Sequence, residues 1–227
     1  GLVKNVPNIS WLERKPFQND LRKALGKEVF CENDANCFAL SEAKDGSASH
    51  YKIVFGVILG SGCGGGLIVD KKIISGINNL SGEWGHNPLP YYGINEDISN
   101  LQSTLVPNIS IEKFISGKGL ETLYLESHKK KLSTKEIFSK KDENLEFIEN
   151  FLNRLARSLS FLINTVDPDA IVFGGGVSNE IENLDLLRDM TGNFAGKKSI
   201  KTSFIKPKFG DASGVRGAAI LGRDTIY

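Results

Sequence analysis

Four short stretches carry residue types that do chemistry. Gly60-Ser61-Gly62-Cys63-Gly64-Gly65-Gly66 follows the apolar run at 53–59 and precedes another at 67–69, a pattern that predicts strand, glycine turn, strand. Five glycines in seven positions remove the side chains that keep a ligand off the backbone, so the amides can turn toward an anion such as a phosphate. The same text also suits a tight hairpin with no ligand. Downstream, Gly82-Glu83-Trp84-Gly85-His86 sets a carboxylate and an imidazole on a glycine-flanked loop, an arrangement suited to the hydroxyls of a polyol. Upstream, Glu32-Asn33-Asp34-Ala35-Asn36 puts Asn33 and Asp34 at the carboxyl end of an expected strand, where ligands sit in open α/β folds. Asp34 alone would serve equally as the N-cap of the helix that follows. Finally, Phe173-Gly174-Gly175-Gly176 closes a buried apolar run and leaves room for a planar base or ribose against bare backbone; with no G-x-G-x-x-G there, it is not a Rossmann fingerprint.

Holding these groups calls for strands and helices in alternation. Pro7 and Pro16 make residues 1–20 a loop, and Phe17, Leu21 and Leu25 at four-residue steps predict a short helix stopped by Gly26. A strand is expected at 28–32 and a helix at 35–44. Asp70-Lys71-Lys72 reads as a turn leading to a strand at 73–74, and residues 118–143 as polar helix with a solvated lysine run at 129–131. The strongest helix is 145–166, apolar at 148, 151, 152, 155, 159, 162, 163 and 166, and Asp167-Pro168-Asp169 stops it. A buried strand at 170–173 follows, then a helix capped by Ser178. Residues 197–208 read as an edge strand, and Gly210-Asp211-Ala212-Ser213-Gly214 opens a last helix whose small residues suit close packing. His50 and His128 lie in polar, loop-like text and read as structural. No repeat of fixed period is visible.

With 227 residues, 40% hydrophobic and 24% charged, the chain can bury a sizeable core. A net charge of +1 gives no electrostatic reason to expect nucleic acid or a membrane surface as partner. No apolar run is long enough to span a bilayer. Cys31, Cys37 and Cys63 are odd in number and form no C-x-x-C pair, which suits a reducing, cytoplasmic setting and small buried apolar roles.

Together, GSGCGGG, GEWGHNPLP, DPDAIVFGGGVSN and GDASGVRGAA resemble the ROK family (repressors, open reading frames and kinases) over essentially the whole chain. Within the family the wording is most similar to the fructokinase, or mannofructokinase, branch, with N-acetylglucosamine kinases close behind. The resemblance implies an α/β protein of the actin-like, ribonuclease-H-like ATPase fold in two lobes. Residues 1–52 would be the remainder of a small N-terminal lobe, 53–210 the large lobe, and 211–227 a helix packing back toward the small lobe. It also implies ATP-dependent phosphorylation of a hexose, most simply fructose to fructose 6-phosphate, with ATP and Mg²⁺ as cofactors and a homodimer as the usual assembly.

By the same resemblance Asp34 takes the proton from the attacking hydroxyl. Asn33, Glu83, His86 and Glu112 hold the sugar. Gly60, Ser61, Gly62 and Gly64 face the phosphates, and Gly174, Gly175 and Gly176 face the adenosine. The alternatives are an N-acetylglucosamine or glucose kinase, a sugar-binding pseudoenzyme, or a sugar-responsive repressor. One departure stands out: many relatives carry three zinc-binding cysteines before the last glutamate, and here those places hold Ser103, Leu105 and Ser110, so zinc is expected to be absent. The chain also opens on Gly1 where the relatives' matching text lies well inside the protein, and no D-x-G-G-T segment occurs in it. The resemblance therefore implies an N-terminally truncated chain with an incomplete first lobe, inactive by itself.

Overall fold

The computed structural model describes residues 2–3, 7–90 and 109–226. Its centre is one sheet of five strands: β1 (Ile53–Leu59), β2 (Cys63–Val69), β3 (Lys72–Ile73), β4 (Ala170–Gly174) and β5 (Ser203–Ile205). The spatial order is β3-β2-β1-β4-β5. β1 runs antiparallel to β2 and parallel to β4, β2 antiparallel to β3, and β4 parallel to β5. Only a strand covered on both faces can be apolar throughout, and Ile-Val-Phe-Gly-Val-Ile-Leu of β1 is such a strand.

Alternate side chains of β1 feed two cores. Phe55, Val57 and Leu59 join Phe151, Leu155 and Leu159 of the long helix α6 (Leu145–Val166) and Ile111 and Ile115 of α3 (Ile111–Ile115). On the other face Val54, Ile68 and Val172 meet Phe38, Ala39 and Ala43 of α2 (Asp34–Lys44) and Ile220 of the last helix, α9 (Ser213–Ile226). The remaining helices are α1 (Phe17–Leu25), α4 (Gly117–His128), α5 (Thr134–Ser139), the single turn α7 (Gly176–Asn179) and α8 (Leu184–Phe194).

Missing side chains set how closely α2 is held. A Cβ on Gly56 would stand 2.7 Å from Ala39 Cβ, and one on Gly217 would stand 1.7 Å from Cys37 O, so α2 is clasped between sheet and α9 by bare backbone on both sides. At the far end of α2, the carboxylate of Glu42 is fully buried. It accepts from Ser47 N and Oγ, Lys208 N, Phe209 N and Ser213 Oγ. One side chain thus ties α2 to the segment entering α9.

Several sequence expectations hold. α1 ends at Gly26 in the left-handed conformation (φ 61°), β1 and α6 have the expected bounds, and an edge strand lies within 197–208, reduced to Ser203–Ile205. Others are corrected. Residues 28–32 are coil, since a strand exists only as a paired ladder and none of the described residues supplies the partner. Instead, Gln18 Nε2 of α1 donates to Val29 O at 2.7 Å. The opening segment contains 3-10 turns at Pro7–Leu12 rather than plain loop. Ser178 caps nothing; it lies buried inside α7, and Asn183 Oδ1 caps α8 by accepting from Leu186 N at 2.9 Å. Asp34 is the first residue of α2 rather than its cap. His128 stacks on Tyr124 with ring centroids 4.2 Å apart, the structural role expected of it.

Candidate functional site

The glycine-rich stretch divides in two. Only Gly60-Ser61-Gly62 forms the turn, because β2 already begins at Cys63 and pairs Cys63 with Leu59. Gly64, Gly65 and Gly66 are strand residues whose bareness serves packing. A Cβ on Gly66 would stand 2.7 Å from Ala35 O, one on Gly65 2.6 Å from the Phe55 ring, and one on Gly64 3.5 Å from Ala35 Cβ. The expected seven-residue loop is therefore a three-residue turn on a strand that the first turn of α2 lies against.

Asn33 is the cap of α2, and its Oδ1 accepts from Ala35 N at 2.8 Å and Asn36 N at 3.3 Å. Asp34 is exposed in the first turn, with Oδ1 accepting from Ala35 N at 2.9 Å. Glu32 closes this corner: Oε1 accepts from Asn33 N at 2.8 Å and from Asn36 Nδ2 at 2.9 Å. The Cys37 thiol one turn further on is pushed up to about 11, first by burial and then by the Glu32 and Asp34 carboxylates, so it stays protonated.

Glu83 stands at the start of a 3-10 turn, Trp84–His86, that is fixed to β2. Trp84 Nε1 donates to Gly64 O at 2.9 Å, and a Cβ on Gly85 would come within 2.3 Å of Cys63 O. His86 Nδ1 lies 3.7 Å from Glu83 Oε2, its ring largely exposed. Past the turn, Leu89 N donates to Ile109 O and Ile111 N to Asn87 O, which brings α3 alongside. Glu112 of α3 then accepts the backbone N–H of Cys63 at 2.8 Å. Buried Cys63 sits between the two acids: burial first, then Glu112 and Glu83, hold its thiol well above the ordinary range. Ser110 opens α3, whereas Ser103 and Leu105 lie outside the described residues. Among the described residues no three His, Cys, Asp or Glu side chains group to hold a metal.

Two clefts result. The first, of about 390 Å³, gathers Asn33 and Glu83 with Glu32, Asn36, Ser75 and Asn79; Asp34, His86 and Glu112 are not part of its lining. The second, of about 710 Å³, lies beyond the β1–β2 turn and brings Gly60 and Ser61 together with Gly176. Gly117, Lys118, Thr134 and Lys135 share its walls, and none of these was singled out from the sequence. The available signal was Ser116-Gly117-Lys118-Gly119, a capping serine and two glycines at a helix start; Ser116 Oγ accepts from Gly119 N at 3.1 Å. Gly117 N donates to Gly60 O at 2.7 Å, so the turn and the start of α4 form one wall. Gly62, Gly64, Gly174 and Gly175 do not line this cleft. A Cβ on Gly174 would meet the Phe38 ring at 2.6 Å, and one on Gly175 (φ +88°) would meet Leu59 O at 2.4 Å. A third hollow, of about 750 Å³, lies behind Glu32 and Ser75 between α2, β3 and α9. Two of its three lysines are engaged: Lys44 pairs with Asp224 at 2.5 Å, and Lys71 donates to Ala43 O and Ser49 O.

Sheet order, strand directions and helices on both faces define an α/β protein of the actin-like ATPase fold, as in solved ROK sugar kinases. A ROK protein from Streptococcus pneumoniae TIGR4, solved with sucrose, superposes with a TM-score of 0.80 at 18% identity over 100% of this chain and 77% of that one. A ROK glucokinase from Streptomyces griseus, solved with glucose and AMPPNP, gives 0.72 at 22% identity, covering 94% and 74%. The chain belongs to the ROK family, whose model matches residues 1–225. The N-acetyl-D-glucosamine kinase of Histophilus somni (strain 129Pt) is 38% identical over 231 residues, 96% of this chain and 74% of that protein. Such relatives are named for N-acetylglucosamine, which corrects the fructokinase branch favoured on wording alone.

Proposed function

We propose that the protein transfers the γ-phosphoryl group of ATP to a hydroxyl of N-acetyl-D-glucosamine. The observation that carries this reading is the 38% identity, over 96% of the chain, to a kinase of that sugar. The two clefts support it, one lined by side chains that bind hydroxyls and the other by the β1–β2 turn and Gly176.

In this mechanism Asn33 and Glu83 hold the hexose at the first cleft, and His86 and Glu112, which stand outside its lining, meet the part of the sugar that extends beyond it. Asp34, exposed at the head of α2, accepts the proton as the sugar oxygen bonds to the γ-phosphorus and the bond to the ADP oxygen breaks. An aspartate is a weak base at neutral pH, but a loose transition state needs the proton removed only late, so positioning dominates the rate. ATP occupies the second cleft with its phosphates at Gly60 and Ser61 and its nucleoside toward Gly176. Mg²⁺ enters with ATP as part of the substrate and neutralises phosphate charge. Bare glycine amides at the turn add donors without the bulk that would hold the phosphates away.

Hexose-dependent ADP release, measured across N-acetylglucosamine, glucose, mannose and fructose, tests the reading. The highest kcat/KM is expected for N-acetylglucosamine. A higher value for fructose overturns the substrate assignment, and no hexose-dependent release overturns the kinase assignment.

A further inference from the structure

The loop between β3 and Glu83 is closed on itself. Ser81 N donates to Ser75 O at 3.2 Å and Asn79 N to Gly76 O at 3.3 Å, while Gly76, Asn79 and Gly82 take positive φ of 73°, 53° and 93°. This folding puts Ser75, Asn79 and Ser81 on the first cleft and leaves Ile77 and Leu80 facing solvent. Glu32 forms the adjoining wall. Its Oε1 is engaged by Asn33 N and Asn36 Nδ2, but among the described residues Oε2 meets only a distant donor, Ser75 Oγ at 3.5 Å. An ionised carboxylate offers about four lone-pair sites, so Oε2 keeps accepting capacity toward the cleft. Apolar Val3 and Phe17 line the same cleft.

An acceptor, amide and hydroxyl donors and an apolar wall in one cleft match a secondary amide carrying a methyl group better than a bare hydroxyl. A hydroxyl gains nothing from the apolar surface, and an acetamido group needs all three. We infer that the 75–81 loop and Glu32 form the subsite that reads the acetamido substituent of the sugar. Glu32 Oε2 accepts its N–H, Asn79 Nδ2 and Ser81 Oγ donate to its carbonyl, and its methyl lies against Val3 and Phe17. This rests on the kinase reading above and extends it to the residues that choose among hexoses. Sites built to hydrogen-bond a substituent discriminate against an analogue lacking it, because the site's polar groups then lose that partner.

The test is Asn79→Gly, which removes the side chain and keeps the left-handed backbone without strain, together with Ser81→Ala. For each, kcat/KM is measured with N-acetylglucosamine and with glucose, and thermal stabilisation by each sugar is measured without ATP. The expected result is a fall of about tenfold or more in the N-acetylglucosamine-to-glucose ratio for Asn79→Gly, with a smaller fall for Ser81→Ala. A ratio unchanged within about twofold in both variants overturns the inference, as does a wild-type ratio near one. If the wild type releases no ADP with any hexose, the kinase reading fails. The thermal shifts then decide the subsite alone: it stands if Asn79→Gly selectively loses stabilisation by N-acetylglucosamine, and falls otherwise.

Discussion

Glu112 Oε2 accepts the backbone N–H of Cys63 at 2.8 Å, which ties α3 to the first residue of β2 and so to the turn at Gly60-Ser61-Gly62. A Cβ on Gly62 would stand 2.8 Å from the same oxygen. Glu112 is therefore a brace between the two clefts. Glu112→Ala should raise KM for both ATP and hexose, whereas Glu83→Ala, on the other side of Cys63, should raise the hexose KM alone. Steady-state kinetics with each substrate varied checks this, and an unchanged ATP KM in Glu112→Ala would remove the brace.

Asp34→Asn keeps shape and hydrogen-bonding reach and removes the base. Turnover should fall by about 10²–10⁴-fold with the hexose KM within about tenfold, since general-base loss acts on the transition state. Near-normal turnover would take Asp34 out of the mechanism.

Gly176 separates folding from binding. A Cβ there meets nothing within 4 Å of protein, yet Gly176 lines the second cleft. Gly176→Val should leave the melting temperature nearly unchanged and raise KM for ATP by about tenfold or more, a loss of about 1.4 kcal/mol in binding. An unchanged ATP KM would place the nucleotide elsewhere.

Glu42 supplies a pH dependence. Burial by itself raises its carboxyl, but the N–H groups of Lys208 and Ser47, the Ser213 hydroxyl and the Phe209 N–H outweigh it and hold the group below the usual carboxylate range. A lowered folded-state value means stability that is present above the unfolded value of about 4.3 and lost as pH falls through the folded one. Thermal melts of wild type should lose stability over that acid window. Glu42→Gln should be less stable at neutral pH, by about 1–3 kcal/mol for a broken buried network, with a flatter acid dependence. Parallel curves for the two proteins would show that Glu42 does not titrate on unfolding.

Much of the fold was legible because local pattern and burial agree. The continuous apolar β1 and the three- and four-residue steps of α6 needed no partner to be recognised, since sheet position and core face are written in the period. Asn33 and Glu83, which the first cleft gathers, stood out for a local reason too, as polar residues at a helix start and beside a glycine. The segment 28–32 was misread because strand text is indistinguishable from unpaired coil until a partner strand is counted. Ser178 was misread because a serine's capping role depends on where the helix begins.

What the chain dictates by itself is its elements and the residue types at their ends, because backbone preference and hydrophobic period are local. The tertiary structure alone decided what each glycine is for. Gly64, Gly65 and Gly66 admit α2, Phe55 and Gly82, while Gly60 and Gly176 open onto a cleft, a difference set by atoms ten or more residues away. It also decided that Lys118 and Thr134 stand beside Gly60, since they approach only when α4 donates Gly117 N–H across to the turn.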